Sequence, residues 1–207
     1  MSATGRSDVR VARDFYPTPE WAVTRFLGEV QLPGGRWLEP AVGDGAIIRA
    51  VNAYRGDVRW TTCDIRPECK ADVTADYVAL GCPDLDWRGG AVAMTNPPFG
   101  LAMDFVTESM KRADIVVMLL RLNWLGSEDR ATWLRRHQPS VYVLPNRPSF
   151  AEDGGTDAAE YGWFVWGDGF GGTLRVLRTT PKSVRLRRVP AATAVDERQL
   201  SLVGDER

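Results

Sequence analysis

Leu38-Glu39-Pro40-Ala41-Val42-Gly43-Asp44-Gly45-Ala46 decides the fold. It closes the apolar run Arg36–Val42 and leads directly into a helical pattern over Ala46–Tyr54. A strand that turns through paired glycines into a helix is the opening of an α/β unit. Gly43 and Gly45 permit a tight turn and let a ligand approach bare backbone. The stretch lacks a complete G-x-G-x-x-G and no phosphate-binding G-x-x-x-x-G-K-[ST] occurs. A carboxylate at Glu39 would also repel phosphate, so the turn suits a ligand with a positive charge or hydroxyl donors. A plain strand-to-helix turn is the alternative.

Working outward, further apolar runs appear at Val58–Ile65, Ala91–Thr95, Ile115–Leu120, Val141–Leu144 and Tyr161–Trp166, with helical patterns at Glu20–Val30, Met103–Ala113 and Glu128–His137. Strands alternating with helices of about ten residues require crossover connections and a largely parallel sheet covered on both faces. The expected fold is a doubly wound α/β domain, whose ligands bind beyond the carboxyl ends of the strands. Asp64 ends the second strand roughly 20 residues after Gly45, the spacing at which an acidic residue meets a ribose diol. Asp76 falls where a third strand should end and suits either an adenine amino group or a helix N-cap, with Asp72 a weaker candidate for the first role.

Thr95-Asn96-Pro97-Pro98-Phe99-Gly100 follows the run Ala91–Met94. Two prolines fix φ and remove two N–H donors, and Asn96 is pushed into extended backbone. An amide oxygen, a main-chain carbonyl and an aromatic face then stand together at a strand tip. They could hold a planar amine, and none of them is a strong base. A rigid turn is the simpler alternative.

Composition bounds the reading. The chain has 207 residues, 44% hydrophobic and 26% charged, with a net charge of −1. This suits one soluble domain and does not announce a nucleic-acid binder by bulk charge. No stretch is apolar enough to span a bilayer, and the polar N-terminus lacks a signal-peptide core, so a cytoplasmic location is expected. Cys63, Cys69 and Cys82 have no metal-binding spacing, and His137 is the only histidine. Disulfide, zinc and histidine-based mechanisms are therefore disfavoured, and no metal is expected. Arg175, Arg178, Lys182, Arg185, Arg187 and Arg188 form a run without acidic residues, either a phosphate-facing strip or a solvated face.

Taken together, Glu39-Pro40-x-x-Gly43-x-Gly45, Asp64, Asp76 and Asn96-Pro97-Pro98-Phe99 resemble the class I S-adenosylmethionine-dependent methyltransferases acting on exocyclic or amide nitrogen, most of all small phage-type N6-adenine DNA methyltransferases. Asp14-Phe15-Tyr16-Pro17-Thr18-Pro19-Glu20, Asn146–Phe150 and Gly162–Trp166 extend the likeness. The resemblance implies a Rossmann-like, mostly parallel seven-stranded sheet in a single domain at 1–189, followed by a flexible tail at 190–207. It implies S-adenosyl-L-methionine as cofactor, held by Tyr16, Thr18, Pro19, Glu39, Pro40, Gly43, Gly45, Asp64, Ile65, Asp76, Tyr77 and Asn96. Asn96, Pro97, Pro98 and Phe99 would be catalytic. Asn96 Oδ1 and the Pro97 carbonyl would accept the amino hydrogens of a flipped adenine stacked on Phe99.

Phe99, Arg121, Asn123 and Trp124 would face DNA, with core packing the alternative for Trp124. The family usually carries a separate target-recognition domain, and no segment of that size remains here. RNA adenine or a protein glutamine amide fits the same loop chemistry, and a non-catalytic nucleotide-binding protein is a third reading. Within the tail, Gln199-Leu200-Ser201-Leu202-Val203 resembles peptides that dock on the bacterial sliding clamp, with incidental leucines the alternative.

Overall fold

In the computed structural model, residues 17–80, 91–150 and 158–185 are described. The strands are β1 (Gly35–Glu39), β2 (Val58–Asp64), β3 (Val73–Thr74), β4 (Val92–Thr95), β5 (Ile115–Arg121), β6 (Ser140–Val143), β7 (Tyr161–Gly167) and β8 (Leu174–Val176). The helices are α1 (Glu20–Leu27), α2 (Ala46–Tyr54), α3 (Tyr77–Leu80), α4 (Ala102–Met110), α5 (Glu128–Arg136) and α6 (Lys182–Arg185). All eight strands join one sheet in the order β3-β2-β1-β4-β5-β7-β6-β8. β7 runs antiparallel to both β5 and β6, and every other pairing is parallel.

The period-2 alternation of the strands sorts their side chains into two core layers. Trp37, Val92, Met94, Val117, Leu119, Trp163 and Val165 face α1 and α2, which contribute Val23, Phe26, Ile47 and Val51. Leu38, Ala93, Val116, Met118, Leu120, Phe164 and Trp166 face the other way, against Tyr77, Phe105 and Val106 of α3 and α4, with Trp133 and Leu134 of α5 packed at the margin. Burial on both faces is what the unbroken apolar runs of β4, β5 and β7 demand.

The expected doubly wound α/β architecture is present, with one strand more than the seven anticipated. The extra strand, β8, is a three-residue edge beside β6, and all three of its residues are exposed. Its three residues, with Arg175 between two apolar ones, gave no strand signal. β1 stops at Glu39, short of the expected Val42, because Val42 has left the ladder to donate to the Cys63 carbonyl. α2 matches its expected bounds, while the other three anticipated helices end one to three residues early. α1, for example, stops before Gly28, whose N–H still bonds the Thr24 carbonyl.

From β1 the chain winds outward to β2 and β3, then returns to the other side of β1 as β4. This reversal leaves a crevice beyond the carboxyl ends of β1 and β4, where ligands of open α/β sheets bind. Glu39 ends β1 at its rim, and Asn96 follows β4.

Candidate functional site

The crevice opens into a cavity enclosing about 810 Å³ of space, its mouth included. Glu39, Pro40, Gly43, Asp64, Ile65, Asp76, Tyr77 and Asn96 all line it, as does Thr18 from the segment preceding α1. Thr18 aside, these residues end or follow β1, β2, β3 and β4, gathered because the parallel ladders bring the carboxyl ends of these four strands to one edge. Of the other residues expected at this site, Pro19 is the N-cap of α1 and lies off the cavity wall, and Gly45 sits just behind it. Tyr16 and the tail motif Gln199–Val203 lie outside the described residues.

The glycine turn is built as its sequence requires. Gly43 and Gly45 have φ of 57° and 76°, left-handed values that strain any residue with a Cβ. Gly45 is the N-cap of α2, and its N–H closes on the Val42 carbonyl at 2.8 Å. The Gly43 N–H donates to Asp64 Oδ2 at 2.9 Å, tying the turn to the end of β2.

Asp64 is 4% exposed and heavily engaged. Oδ1 accepts from the Arg66 N–H at 2.9 Å and from Arg66 Nε at 3.1 Å, while Oδ2 also receives Arg66 Nη2 at 3.3 Å. Burial pushes this carboxyl's pKa up, but Arg66 and the Gly43 amide outweigh it and hold the group below its ordinary value. The lone pairs that these donors leave over are what the carboxylate has to offer a hydroxyl. Sequence reasoning missed Arg66, because a cation two residues from an acid carries no signal of its own.

Glu39 is the opposite case. It is 1% exposed, and neither carboxylate oxygen meets a donor with hydrogen-bond geometry. Burial drives its pKa well above the ordinary range. The nearby Thr95 hydroxyl and Ala41 backbone offset this only in part, and the charges of Asp64 and Asp44 push the same way as burial. Thr95 Oγ1 is likewise buried with no hydrogen-bond partner. An orphaned carboxylate on a cavity wall is costly unless a ligand satisfies it, and a cationic or multiply donating ligand does so. The residues present therefore fit S-adenosylmethionine, with its ammonium group and ribose diol.

Asp76 takes the helix N-cap alternative and stands on the cavity wall as well. Oδ1 caps α3 by accepting from Val78 N at 3.0 Å and Ala79 N at 3.1 Å, and the residue also lines the cavity. Asp72 does not share this position. It accepts from Thr62 N and Oγ1 and lies off the cavity, so it ties the β2–β3 connection together. Tyr77 is buried, with its hydroxyl 3.0 Å from Ser109 Oγ, whereas Ile65 is 59% exposed at the cavity mouth.

The Asn96-Pro97-Pro98-Phe99 loop leaves β4 at the rim. The Asn96 and Pro98 side chains face the cavity, Pro97 is buried, and the Asn96 Oδ1 atom is shielded from solvent. The Pro98 carbonyl accepts the Leu101 N–H at 2.9 Å, closing a 3-10 turn that carries Phe99. Phe99 leans on Tyr161 with ring centroids 5.7 Å apart, and the Arg121 guanidinium carbon lies 4.5 Å from the centre of the Phe99 ring. Phe150 meets Tyr161 edge-on at 5.0 Å, so the Asn146–Phe150 segment reaches the loop through this ring. Neither Tyr161 nor Phe150 was marked as a site residue by the sequence, since each reads as a core aromatic.

Other expected contacts fall elsewhere. Trp124 is 7% exposed and packs edge-on against Trp133, Phe164 and Trp166, which is the core alternative. Asn123 is exposed. In the basic run, Arg175 and Arg178 share the single carboxylate of Glu29 at 3.5 and 3.3 Å, which offsets one of their two charges while both side chains stay more than half exposed. Arg187 and Arg188 lie outside the described residues. Among the described residues no group of His, Cys, Asp and Glu is placed to hold a metal, and no helix is long and apolar enough to cross a membrane.

Neither protein-family models nor curated proteins match the sequence. Solved structures do. A protein from Vibrio vulnificus assigned as the modification subunit of a type I restriction enzyme superposes with a TM-score of 0.57 at 15% identity, over 86% of this chain and 50% of that one. A Pyrococcus horikoshii protein assigned as an RNA methyltransferase gives 0.53 at 14% identity, over 78% and 90% of the two chains. An Agrobacterium tumefaciens protein assigned as an O-methyltransferase gives 0.52 at 15% identity, over 76% and 83%. The fold is thus the Rossmann-like one of class I methyltransferases. The chain spans half the length of the Vibrio subunit.

Proposed function

We propose that this protein is an S-adenosylmethionine-dependent methyltransferase that modifies the exocyclic N6 of adenine in DNA. The observation that carries the reading is the convergence on one cavity of Asn96 and Pro98, from the loop that carries Phe99, with Glu39, the Gly43 turn, Asp64 and Asp76. Acceptors for an amino group thus stand beside a pocket suited to a cationic nucleoside.

The cofactor supplies a methyl group already activated on a sulfonium, so the chain's residues have to orient the nucleophile and stabilise charge. Glu39 neutralises the cationic end of the ligand, and Asp64 accepts from its ribose. Asn96 Oδ1 and the Pro97 carbonyl would accept the two amino hydrogens of the target, draw the nitrogen lone pair out of conjugation with the ring and towards the methyl group, and offset the positive charge that develops on nitrogen. The bound cofactor would supply the methyl group and keep the electron pair of the methyl–sulfur bond, and the surplus amino proton of the target would leave to solvent. No general base has to act before transfer, and none of the acceptors of the Asn96-Pro97-Pro98-Phe99 loop is a strong base. In a duplex the adenine is first extruded, at a cost of a few kcal/mol that stacking on Phe99 offsets in part.

Labelled methyl transfer to unmethylated DNA, total RNA and a protein extract in parallel, with digestion of the labelled pool, tests the reading. N6-methyladenine in DNA that disappears with Asn96→Ala is the expected result. Label confined to RNA or to glutamine overturns the substrate and keeps the chemistry. Cofactor binding without label in any pool counts against catalysis itself.

A further inference from the structure

Arg121, Phe99 and Tyr161 form a group whose geometry goes beyond a generic amine site. Arg121 ends β5, Tyr161 begins β7, and the two are directly opposite in the antiparallel register, which puts their side chains on one face of the sheet. Arg121 Nε donates to the Tyr161 hydroxyl at 3.0 Å, and its guanidinium carbon lies 4.5 Å from the Phe99 ring centre. Tyr161 is fully buried and braced by Phe150, so its hydroxyl is a fixed anchor. A guanidinium is planar, delocalised and weakly hydrated, and it stacks on aromatic faces much as a nucleobase does.

Resting on the adenine reading above, we propose that Arg121 is a stand-in for the target base. Its guanidinium holds the stacking face of Phe99 until an extruded base displaces it, and then turns to the phosphate beside the flipped nucleotide. A guanidinium and a base cannot share one ring face, so entry of the base requires the exchange. A cation stacked on a partly exposed ring weighs about two- to five-fold in an equilibrium constant, against a larger weight for a stacked base, so the base wins the face. The released cation is then left at the strand tip beside the loop, where an extruded nucleotide brings its backbone. The same side chain thereby keeps the aromatic face covered before substrate arrives and contributes to nucleic-acid affinity afterwards.

The full-length protein with Arg121→Ala, Arg121→Lys and Tyr161→Phe provides the test, with S-adenosylmethionine affinity and the unfolding midpoint as controls of folding. The probes are the deoxyribonucleoside of 2-aminopurine, followed by its fluorescence, and an adenine-containing single-stranded oligodeoxynucleotide titrated across salt. Arg121→Ala is expected to bind the nucleoside about two- to five-fold more tightly, because no guanidinium has to leave. The same variant should bind the oligonucleotide more weakly at low salt, its salt slope lowered by the equivalent of about one phosphate contact. Arg121→Lys should behave like Ala towards the nucleoside yet keep the salt slope, since it retains the charge without the plane. Tyr161→Phe should tighten nucleoside binding in the same direction by freeing the guanidinium.

Unchanged or weakened nucleoside binding in Arg121→Ala, or an unaltered salt slope, overturns the proposal. So does failure of both wild type and variant to bind the nucleoside. Failure of the underlying reading looks different, because DNA then receives no methyl group from the wild type whatever stands at position 121.

Discussion

The backbone amide of Gly43 donates to Asp64 Oδ2 at 2.9 Å, so the turn after β1 and the tip of β2 are one unit. The same carboxylate holds Arg66, and the unit therefore positions bare backbone, an acid and a cation at a single cavity edge. Replacing Asp64 by Asn leaves the shape and removes the charge that both donors address. A loss of about 1–3 kcal/mol of stability is expected at neutral pH, together with weaker cofactor binding. The Asp64 pKa is depressed on folding, so its stabilisation is present above the unfolded-state pKa and lost as pH falls through the folded one. Denaturant unfolding of both proteins at about pH 7 and about pH 3 checks this, since the gap between them should shrink on acidification. A gap that stays constant would assign Asp64 a role independent of its charge.

Glu39 carries the opposite sign. Its carboxyl is raised on folding by burial, so the native state holds a proton that the unfolded chain gives up earlier. The ligand-free protein should therefore lose stability as pH rises from the ordinary carboxylate range, about 4.3, towards the native pKa. Glu39→Gln should lack that loss and exceed wild type at neutral pH by about 1–3 kcal/mol without ligand. It should also bind S-adenosylmethionine at least about tenfold more weakly, having no charge to offer the ammonium group. Calorimetry in buffers of different ionisation enthalpy should detect a proton released by wild type on cofactor binding, and none by the variant.

Asn96→Ala should reduce methyl transfer by about 100- to 1000-fold, the usual loss for one preorganised contact to developing charge. Cofactor affinity should change far less, because Glu39 and Asp64 remain. Single-turnover rates set beside cofactor titrations separate the two effects. Parallel losses of both would make Asn96 a cofactor contact alone.

Trp124→Ala should cost about 3–5 kcal/mol of stability, since the ring fills the space between Trp133, Phe164 and Trp166. DNA affinity measured well below the unfolding temperature should stay near wild type. Weakened DNA binding with an unchanged unfolding midpoint would return the residue to the nucleic-acid side.

The register of apolar and polar residues was enough to place β4, β5, β7 and α2, because burial on both faces of a central strand demands unbroken apolar runs and a helix beside a sheet demands its own period. Backbone chemistry was legible too. Gly43 and Gly45 stand where left-handed φ is required, and the two prolines hold the Asn96 loop. These are local constraints, and a local constraint is written in neighbouring residues.

What joins distant parts of the chain was not written there. Asp76 satisfied a helix cap and a cavity wall at once, while Asp72, four residues earlier, turned back to Thr62. That Arg175 and Arg178, while more than half exposed, share the carboxylate of Glu29 is not announced by their run of cations. Trp124 could be assigned to the core only once Phe164 and Trp166 were known to lie against it. β8 took its place at the sheet edge by pairing with β6, a contact its own three residues do not announce. The sequence by itself determined the strand-and-helix alternation, the glycine turn and the Asn-Pro-Pro-Phe loop, because backbone sterics and hydrophobic period act over a few residues. Only the tertiary structure decided which charges are paired, that Glu39 is buried without a hydrogen-bond partner, and that Arg121 lies over Phe99. Electrostatics and packing depend on distances between groups that chain order leaves open.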